Sequence, residues 1–175
     1  MPALIYRIAK LWGKPQGTVE KYDINEAISY PDKEELSFTN NFTGKLNLIR
    51  LKDEISVLLS DAEISINFTC PLCLKKFSQK VKIPEAEREF FYEIPDITED
   101  EMDLFFINKK AMTIDLNEMV RQEIILHFPL IPVCSRSCKG LCAHCGIDKN
   151  RKTCSCKDEN QVETYKPFGN LKKLI

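Results

Sequence analysis

The sequence lacks the features that mark membrane-spanning and exported proteins. No apolar run approaches the roughly eighteen residues that a membrane-spanning helix needs. Arg7 and Lys10 interrupt the first apolar residues and no small-residue cleavage site follows, so we expect no signal peptide. These absences predict a cytoplasmic protein with no membrane partner, in a compartment where thiols stay reduced.

Catalytic motifs are also missing. The chain has only two histidines, and it contains no G-x-S-x-G turn, Walker loop or dinucleotide-binding fingerprint. His127 falls at the end of a predicted helix, where histidine more often packs or caps than catalyses. Acidic residues between 85 and 103 are interpreted as a solvated acidic face, so we expect no enzyme and no small-molecule substrate. They are Glu85, Glu87, Glu89, Glu99, Asp100, Glu101 and Asp103.

The composition is that of an ordinary globular protein, with 43% hydrophobic and 29% charged residues among 175. A globule of this size buries roughly 70% of its unfolded surface, so it can form a core without disulfides. The net charge is only −1, but the charge is unevenly distributed. Residues 81–133 have a balance of −7 and residues 134–175 a balance of +5.

Apolar residues alternate with polar ones over much of the first half of the chain. The clearest case is Ile64, Ile66 and Phe68, and this period of two is typical of half-buried antiparallel strands. Residues 4–12 predict a short helix or strand, and residues 90–94 a further strand. The segments 104–107 and 112–114 could pair as a hairpin or remain extended. Further strands are predicted around residues 19–24, 46–48, 55–57 and 81–83.

A single main helix is predicted over residues 116–128. Asp115 and Glu118 form a D-x-x-E capping box at its start, and Pro129 follows its end. Its apolar face consists of Leu116, Met119, Val120 and Ile124. The fold class is therefore α+β: an antiparallel β-sheet with one main helix and a zinc-organised, cysteine-rich C-terminal tail. We expect residues 1–133 to form the core and residues 134–175 a zinc-binding tail packed on it.

The eight cysteines are the strongest chemical signal in the chain. They form the local pairs Cys70/Cys73, Cys134/Cys138, Cys142/Cys145 and Cys154/Cys156. Zinc prefers four tetrahedral thiolate or imidazole ligands, and eight cysteines supply two such closed sites. Gly146 follows one pair and permits the left-handed backbone that a zinc knuckle needs. In a reducing compartment this pattern indicates metal binding more than disulfides.

The spacing favours one division of the pairs without excluding others. Only eight residues separate Cys145 from Cys154, so the last two pairs are expected to share one ion. The first two pairs would then close a second site that links the sheet to the tail. An interleaved arrangement remains possible, and His144 could replace one sulfur. A redox role is disfavoured because Cys70-Pro71-Leu72-Cys73 lies between strands, whereas a thioredoxin-type pair opens a helix. Cys70 alone could also be a buried core residue.

The order of these motifs resembles the YceD family, the large ribosomal RNA subunit accumulation proteins. The resemblance extends over about residues 22–156 and includes the strand motif Gly44-Lys45-Leu46, the first cysteine pair and the helix after Ile114. Its most specific part is the run PLIPVCSRSCKGLCAHCG, residues 129–146. The family's first knuckle commonly has arginine where this chain has Leu72. The resemblance implies a role in ribosome biogenesis rather than an established enzyme activity.

Two functions fit these features. The first is a non-catalytic factor that binds ribosomal RNA or a large-subunit precursor through Arg136, Lys139, Lys149, Arg151 and Lys152. The bland alternative is that these cations form the solvated face of a zinc module. No aromatic residue interleaves them, so a base-stacking platform is not expected. The second function is a protein-interaction module that docks a ribosomal protein through the acidic 85–103 segment. The last residues could form a short helix through Phe168, Leu171 and Leu174.

Overall fold

The structure is a computed structural model that describes residues 4–30, 37–93 and 104–156. Its elements, in chain order, are β1 Ile5–Arg7, α1 Ala9–Trp12, β2 Val19–Glu26, β3 Phe42–Arg50, β4 Glu54–Thr69, β5 Lys76–Phe91, β6 Phe105–Phe106, β7 Thr113–Asp115 and α2 Asn117–Leu126. The predicted α+β class is confirmed. The tail helix predicted around Phe168 lies outside the described residues.

The main sheet has the strand order β2-β3-β4-β5-β6. Neighbouring strands are antiparallel except for β6, which runs parallel to the end of β5 over Phe90 and Phe91. The sequence predicted several short strands here, but β4 and β5 are continuous strands of 16 residues each. The separate strand predicted at 90–94 is wrong, since Phe90 and Phe91 are the last residues of β5. The first cysteine pair lies in the turn that joins β4 to β5, as predicted.

A bulge in the middle of β4 changes which residues face the core. Asp61 has a positive φ of 50°, and the pairing of β3 with β4 shifts register between Thr43 and Lys45. The buried side chains are Ile55, Val57 and Leu59 before this point and Ala62, Ile64 and Ile66 after it. Gly44 lies opposite the bulge, where an added Cβ would be 2.8 Å from the Cβ of Ala62. The long hairpin therefore keeps its apolar residues in one core despite the change of period.

The N-terminal segment contains both a strand and a helix. β1 pairs with β7 in a separate two-stranded sheet, with Tyr6 opposite Ile114. The two segments proposed as a hairpin meet only at the bridge between Asn108 and Thr113. Beyond that bridge β6 joins β5 and β7 joins β1, so the two segments belong to different sheets.

Helix α2 packs on β5, and all four residues of its predicted apolar face are buried. The predicted capping box is not formed, because Leu116 occupies the N-cap position and Asp115 still belongs to β7. The Asp115 carboxylate accepts a hydrogen bond from the Asn117 N–H at 2.9 Å, and the Glu118 carboxylate pairs with Arg121. None of the described helices has the length and apolar character needed to cross a bilayer.

Candidate metal centre

The structure gathers the eight cysteines into two groups of four sulfurs. The first cluster is Cys70, Cys73, Cys134 and Cys138, and the second cluster is Cys142, Cys145, Cys154 and Cys156. Within each cluster all sulfurs lie within 4.8 Å of one another. This is the division that the spacing favoured, and the interleaved arrangement does not occur. His144 belongs to neither cluster, so imidazole does not replace a sulfur in this structure.

The first cluster joins the end of the β4–β5 hairpin to the tail. Cys70 directly follows β4, and its N–H donates to the carbonyl of Lys75 at 2.9 Å. The Leu74 N–H donates back to the Cys70 carbonyl at 2.9 Å, and Leu74 has a left-handed φ of 58°. This tight turn points both sulfurs to the same side. Cys134 and Cys138 approach that side from the segment after α2.

Sulfur separations in the first cluster fit metal binding rather than disulfide bonding. The Cys70 and Cys138 sulfurs are 3.9 Å apart, and the Cys73 and Cys134 sulfurs are 3.5 Å apart. A disulfide would need about 2.05 Å, and all eight cysteines are free thiols. Four sulfurs at roughly 2.3 Å from one zinc ion would be roughly 3.8 Å apart at the corners of a tetrahedron. The cluster therefore has both the ligand type and the size for a tetrahedral metal ion.

The second cluster is built around a knuckle at Cys142 and Cys145. The Gly146 N–H donates to the Cys142 carbonyl at 2.9 Å, and the Cys142 N–H donates to the Ile147 carbonyl at 2.8 Å. Gly146 has a φ of 71°, the left-handed conformation that the sequence predicted for it. Cys142 is buried, Cys145 is exposed, and Cys154 and Cys156 are half-buried.

Hydrogen bonds fasten the two clusters to each other. The Leu141 N–H donates to the carbonyl of Leu72, in the first knuckle, at 2.8 Å. Gly140 permits this approach, since an added Cβ would lie 3.0 Å from the same carbonyl oxygen. The Asn150 amide oxygen accepts the Lys139 N–H at 2.8 Å, and its Nδ2 donates to the Cys138 sulfur at 3.5 Å. Sequence reasoning missed Asn150 and Gly140, whose roles depend on contacts between distant segments.

The thiols of the first cluster carry unequal pKa values. A hydrogen bond from the Cys134 backbone N–H lowers the pKa of Cys70 to about 6. The thiol of Cys134 donates to Cys73, which raises the pKa of Cys134 to about 12. The backbone N–H of Lys75 favours the Cys73 thiolate, but burial and the neighbouring thiols outweigh it and raise the Cys73 pKa. One thiolate is thus stable at neutral pH, and further ionisation requires added positive charge such as a metal ion.

The second cluster shows the same pattern. Hydrogen bonds from the backbone N–H groups of Cys145 and His144 lower the pKa of Cys142 to about 6. The thiol of Cys156 donates to Cys145, and this raises its pKa to about 12. A hydrogen bond to Cys142 likewise raises the pKa of Cys154. Either cluster could hold a cation that replaces the protons on its remaining thiols.

The candidate RNA-contact residues lie around these clusters. Arg136, Lys139, Arg151 and Lys152 are exposed, and Lys149 is half-buried. We call residues 148–152 the basic turn. Its backbone is fixed by the Asp148 carbonyl, which accepts the N–H groups of Arg151 and Lys152 at 3.0 and 3.1 Å. The Arg151 guanidinium lies 3.7 Å from the Asp148 carboxylate while its side chain stays 76% exposed.

A further cation, Lys75, was not among the predicted contacts. The pKa of Asp148 is lowered by hydrogen bonds from Asn150, and then by Arg151 and Lys75. Lys75 therefore adds its charge to the basic turn from the first knuckle. The position of Lys75 and Lys76 directly after the first cysteine pair was the signal available in the sequence.

The remaining sequence candidates have structural explanations. The ring Nδ1 of His127 lies 2.9 Å from the Glu123 carbonyl at the end of α2, which suits a packing and capping role. Glu85, Glu87 and Glu89 are exposed on β5, and Glu87 accepts a hydrogen bond from the Ser56 hydroxyl at 2.7 Å. The other predicted acidic residues, from Glu99 to Asp103, lie outside the described residues.

Comparison with known proteins gives one family and two named relatives. A family model described as "Large ribosomal RNA subunit accumulation protein YceD" matches residues 59–175. The relatives are both called "Large ribosomal RNA subunit accumulation protein YCED homolog 1, chloroplastic". The Arabidopsis thaliana protein is 33% identical over 62 residues, 35% of this chain and 19% of that protein. The Zea mays protein is 42% identical over 61 residues, 34% of this chain and 20% of that protein.

The matched region therefore spans about a fifth of the length of these curated relatives. No solved structure matches the chain.

Proposed function

The chain belongs to the YceD family, and we propose that it is a non-catalytic factor that supports large-subunit ribosomal RNA accumulation by binding RNA or pre-ribosomal particles. The family description and both relatives' names refer to accumulation of the large ribosomal RNA subunit. The proposal places this action in the cytoplasm, where reducing conditions keep the eight thiols available as ligands.

The proposal includes one zinc ion in each cysteine cluster. Four cysteine sulfurs are the ligand set of structural zinc sites, which are closed and tetrahedral. Zinc would supply the positive charge that lets all four thiols of a cluster ionise. Since each ion would have four protein ligands, no position would remain for a substrate, and this supports a non-catalytic role.

The basic turn is the observation on which the RNA proposal rests. Its backbone hydrogen bonds and its contact with Cys138 through Asn150 hold it between the two clusters. Arg151 and Lys152 project into solvent from this fixed backbone, with Lys139 and Arg136 nearby along the chain. A rigid backbone lowers the entropic cost when several cations bind phosphates together. The arrangement suits phosphate contacts, which give affinity without sequence preference.

Charge reversal of the basic turn tests this proposal. We expect the triple variant Lys149→Glu, Arg151→Glu and Lys152→Glu to bind RNA more weakly than the natural chain while it keeps its bound zinc. The slope of log affinity against log salt should fall by about one unit for each phosphate that the variant no longer binds. A matched control reverses Lys10, Lys21 and Lys52, which are exposed on other parts of the chain. Equal RNA binding by the triple variant and the natural chain would contradict the proposal.

A second candidate function rests on the acidic residues of β5. Glu85, Glu87 and Glu89 occupy alternate positions on one strand and are all exposed, so they form an acidic row. Such a row would attract a basic ribosomal protein. Capture of that protein in a pull-down that survives nuclease treatment, and its loss when the three residues become glutamine, would favour this alternative.

A further inference from the structure

A cleft of about 340 Å³ lies at the end of the β4–β5 hairpin, beside the first cluster. We call it the hairpin cleft. Its polar lining comes from Ser37, Asn67, Thr69, Lys76 and Ser78. Thr69 and Lys76 are the strand residues that flank the first knuckle. The cleft therefore opens next to the cations of the tail.

Several polar groups in the hairpin cleft are available to a ligand. The Asn67 Nδ2 donates to the Ser37 hydroxyl at 3.1 Å, and the Ser78 hydroxyl lies 3.2 Å from the Thr39 hydroxyl. Within the described ranges, the Asn67 side-chain oxygen, the Thr69 hydroxyl and the Lys76 ammonium have no hydrogen-bond partner. The lining thus offers donors, acceptors and one cation, and no carboxylate belongs to its described residues.

Aromatic rings form the apolar part of the hairpin cleft. Phe68 and Phe77 are cross-strand partners, and their ring centroids are 6.1 Å apart. Phe128, just before the tail, packs edge-on against Phe68 at 5.5 Å and supports it from behind. Phe77 is half-buried, so part of its surface remains available to a ligand. The aromatic surface that the tail lacks is therefore supplied by the hairpin, one residue from Lys76.

These features lead us to infer that the hairpin cleft binds one unpaired nucleotide of a single-stranded RNA, with its base against Phe77 and its phosphate at Lys76. This inference rests on the proposed RNA-binding function and names the form of RNA recognised. A volume of about 340 Å³ is at the lower end of the range for small-molecule sites, enough for a nucleotide and too small for a double helix. Unpaired bases expose the flat faces and polar edges that aromatic rings, amides and hydroxyls bind.

The geometry also gives a path for the neighbouring nucleotides. Lys75 follows the first knuckle and acts on Asp148 of the basic turn, so cations continue from the cleft across both clusters. The Leu141–Leu72 hydrogen bond fixes the two knuckles side by side along this path. A strand held at the cleft could thus have its next phosphates bound by the basic turn.

The test measures fluorescence anisotropy of a labelled RNA of about ten nucleotides, single-stranded or annealed to its complement, with the zinc-loaded full chain. Phe77→Leu keeps an apolar side chain but removes the flat ring. We expect it to weaken single-strand binding by roughly tenfold or more and to leave the salt slope unchanged, since no charge is removed. Phe106→Leu, at an exposed phenylalanine on β6, is the matched control and should bind like the natural chain.

A second variant keeps the test decisive if Phe77→Leu is poorly folded. Asn67→Asp places a carboxylate in the hairpin cleft at an exposed position and should weaken binding by roughly fivefold or more at low salt. Asn25→Asp adds the same charge on β2 and should bind within about twofold of the natural chain. Photocrosslinking of thiouridine-containing RNA should also label the peptide that contains Phe77.

The outcomes separate this inference from the proposed function. If the natural chain binds RNA but the cleft variants match their controls, or if duplex and single strand bind equally, the cleft inference is wrong and the proposed function stands. If the natural chain binds neither form of RNA, both are wrong. If the cleft variants lose a bound ribosomal protein and keep their RNA affinity, the cleft is a protein site and the inference is again overturned.

Discussion

At the residue scale, Gly44 occupies a position where the sheet has no space for a side chain. It lies opposite the bulge of β4, and an alanine there would bring two Cβ atoms to 2.8 Å. We expect Gly44→Ala to lower the free energy of unfolding by about 1–3 kcal/mol, because overpacking forces the backbone to shift. Gly13→Ala is the control, since its Cβ would meet nothing closer than 3.8 Å. Urea denaturation of zinc-loaded protein gives both values, and equal stabilities would contradict the close packing.

The cysteine thiols predict how metal affinity depends on pH. In each cluster one thiol is ionised at neutral pH, and at least two hold protons because their pKa values are raised. Zinc must displace these protons, so its apparent affinity should rise as pH rises, by about two orders of magnitude or more per pH unit near neutrality. Calorimetric titration in buffers of different ionisation enthalpy counts the protons released. Release of fewer than two per site would show that the thiols are already ionised.

At the scale of elements, the two clusters stabilise different parts of the chain. The second cluster lies entirely within the tail, whereas the first also holds the turn between β4 and β5. We expect Cys142→Ser to reduce bound zinc from about two ions to about one and to expose only the tail to hydrogen exchange. Cys70→Ser should expose the end of the hairpin as well. Identical exchange patterns in the two variants would show that the clusters form one cooperative unit.

The outer position of β5 explains the composition of that strand. Among the described residues, only Phe90 and Phe91 of β5 pair with β6, so most of its outer edge has no strand partner. Pro84 and the charged residues along β5 oppose pairing with another chain. Arg88 donates across to the buried carboxylate of Glu123 in α2 at 2.6 Å, which helps to hold the helix beside this strand.

Features that depend on local spacing were predictable from the sequence. The alternation of Ile64, Ile66 and Phe68 identified a strand, and the spacing of the apolar residues around Met119 identified the buried face of α2. The division of the cysteines followed from the short distance between Cys145 and Cys154 along the chain. In each case the physical constraint acts over a few residues, so the sequence records it directly.

Features that depend on distant contacts could not be predicted in the same way. β1 and β7 have three residues each and lie far apart along the chain, so neither shows a period that identifies its partner. The bulge at Asp61 interrupts the alternation, so the pattern indicated two strands where the sheet has one. The hairpin cleft combines Ser37 with residues of two other segments, and only the register of β4 with β5 brings Asn67 opposite Ser78.

At the scale of the whole molecule, the opposite charges belong to different surfaces. The described acidic row lies on β5, while Lys75 and the basic turn lie around the cysteine clusters at the end of the hairpin. A net charge of −1 therefore conceals a local positive surface that attracts phosphates over about one Debye length, roughly 8 Å at physiological salt. The positive surface depends on the fold of the tail, because only the two knuckles keep its cations beside the hairpin.

Removal of metal tests whether this surface depends on the two clusters. A chelator should abolish RNA binding at moderate salt, since the basic turn would no longer be fixed at both ends by metal-bound cysteines. The main sheet should persist, because its buried residues, such as Phe42, Leu46 and Ile64, form an apolar core of their own. Far-ultraviolet circular dichroism would follow the sheet, fluorescence anisotropy would follow RNA, and added zinc should restore binding. Undiminished RNA affinity without metal would exclude a metal-fixed contact, and disappearance of the sheet signal would show that the tail is integral to the core.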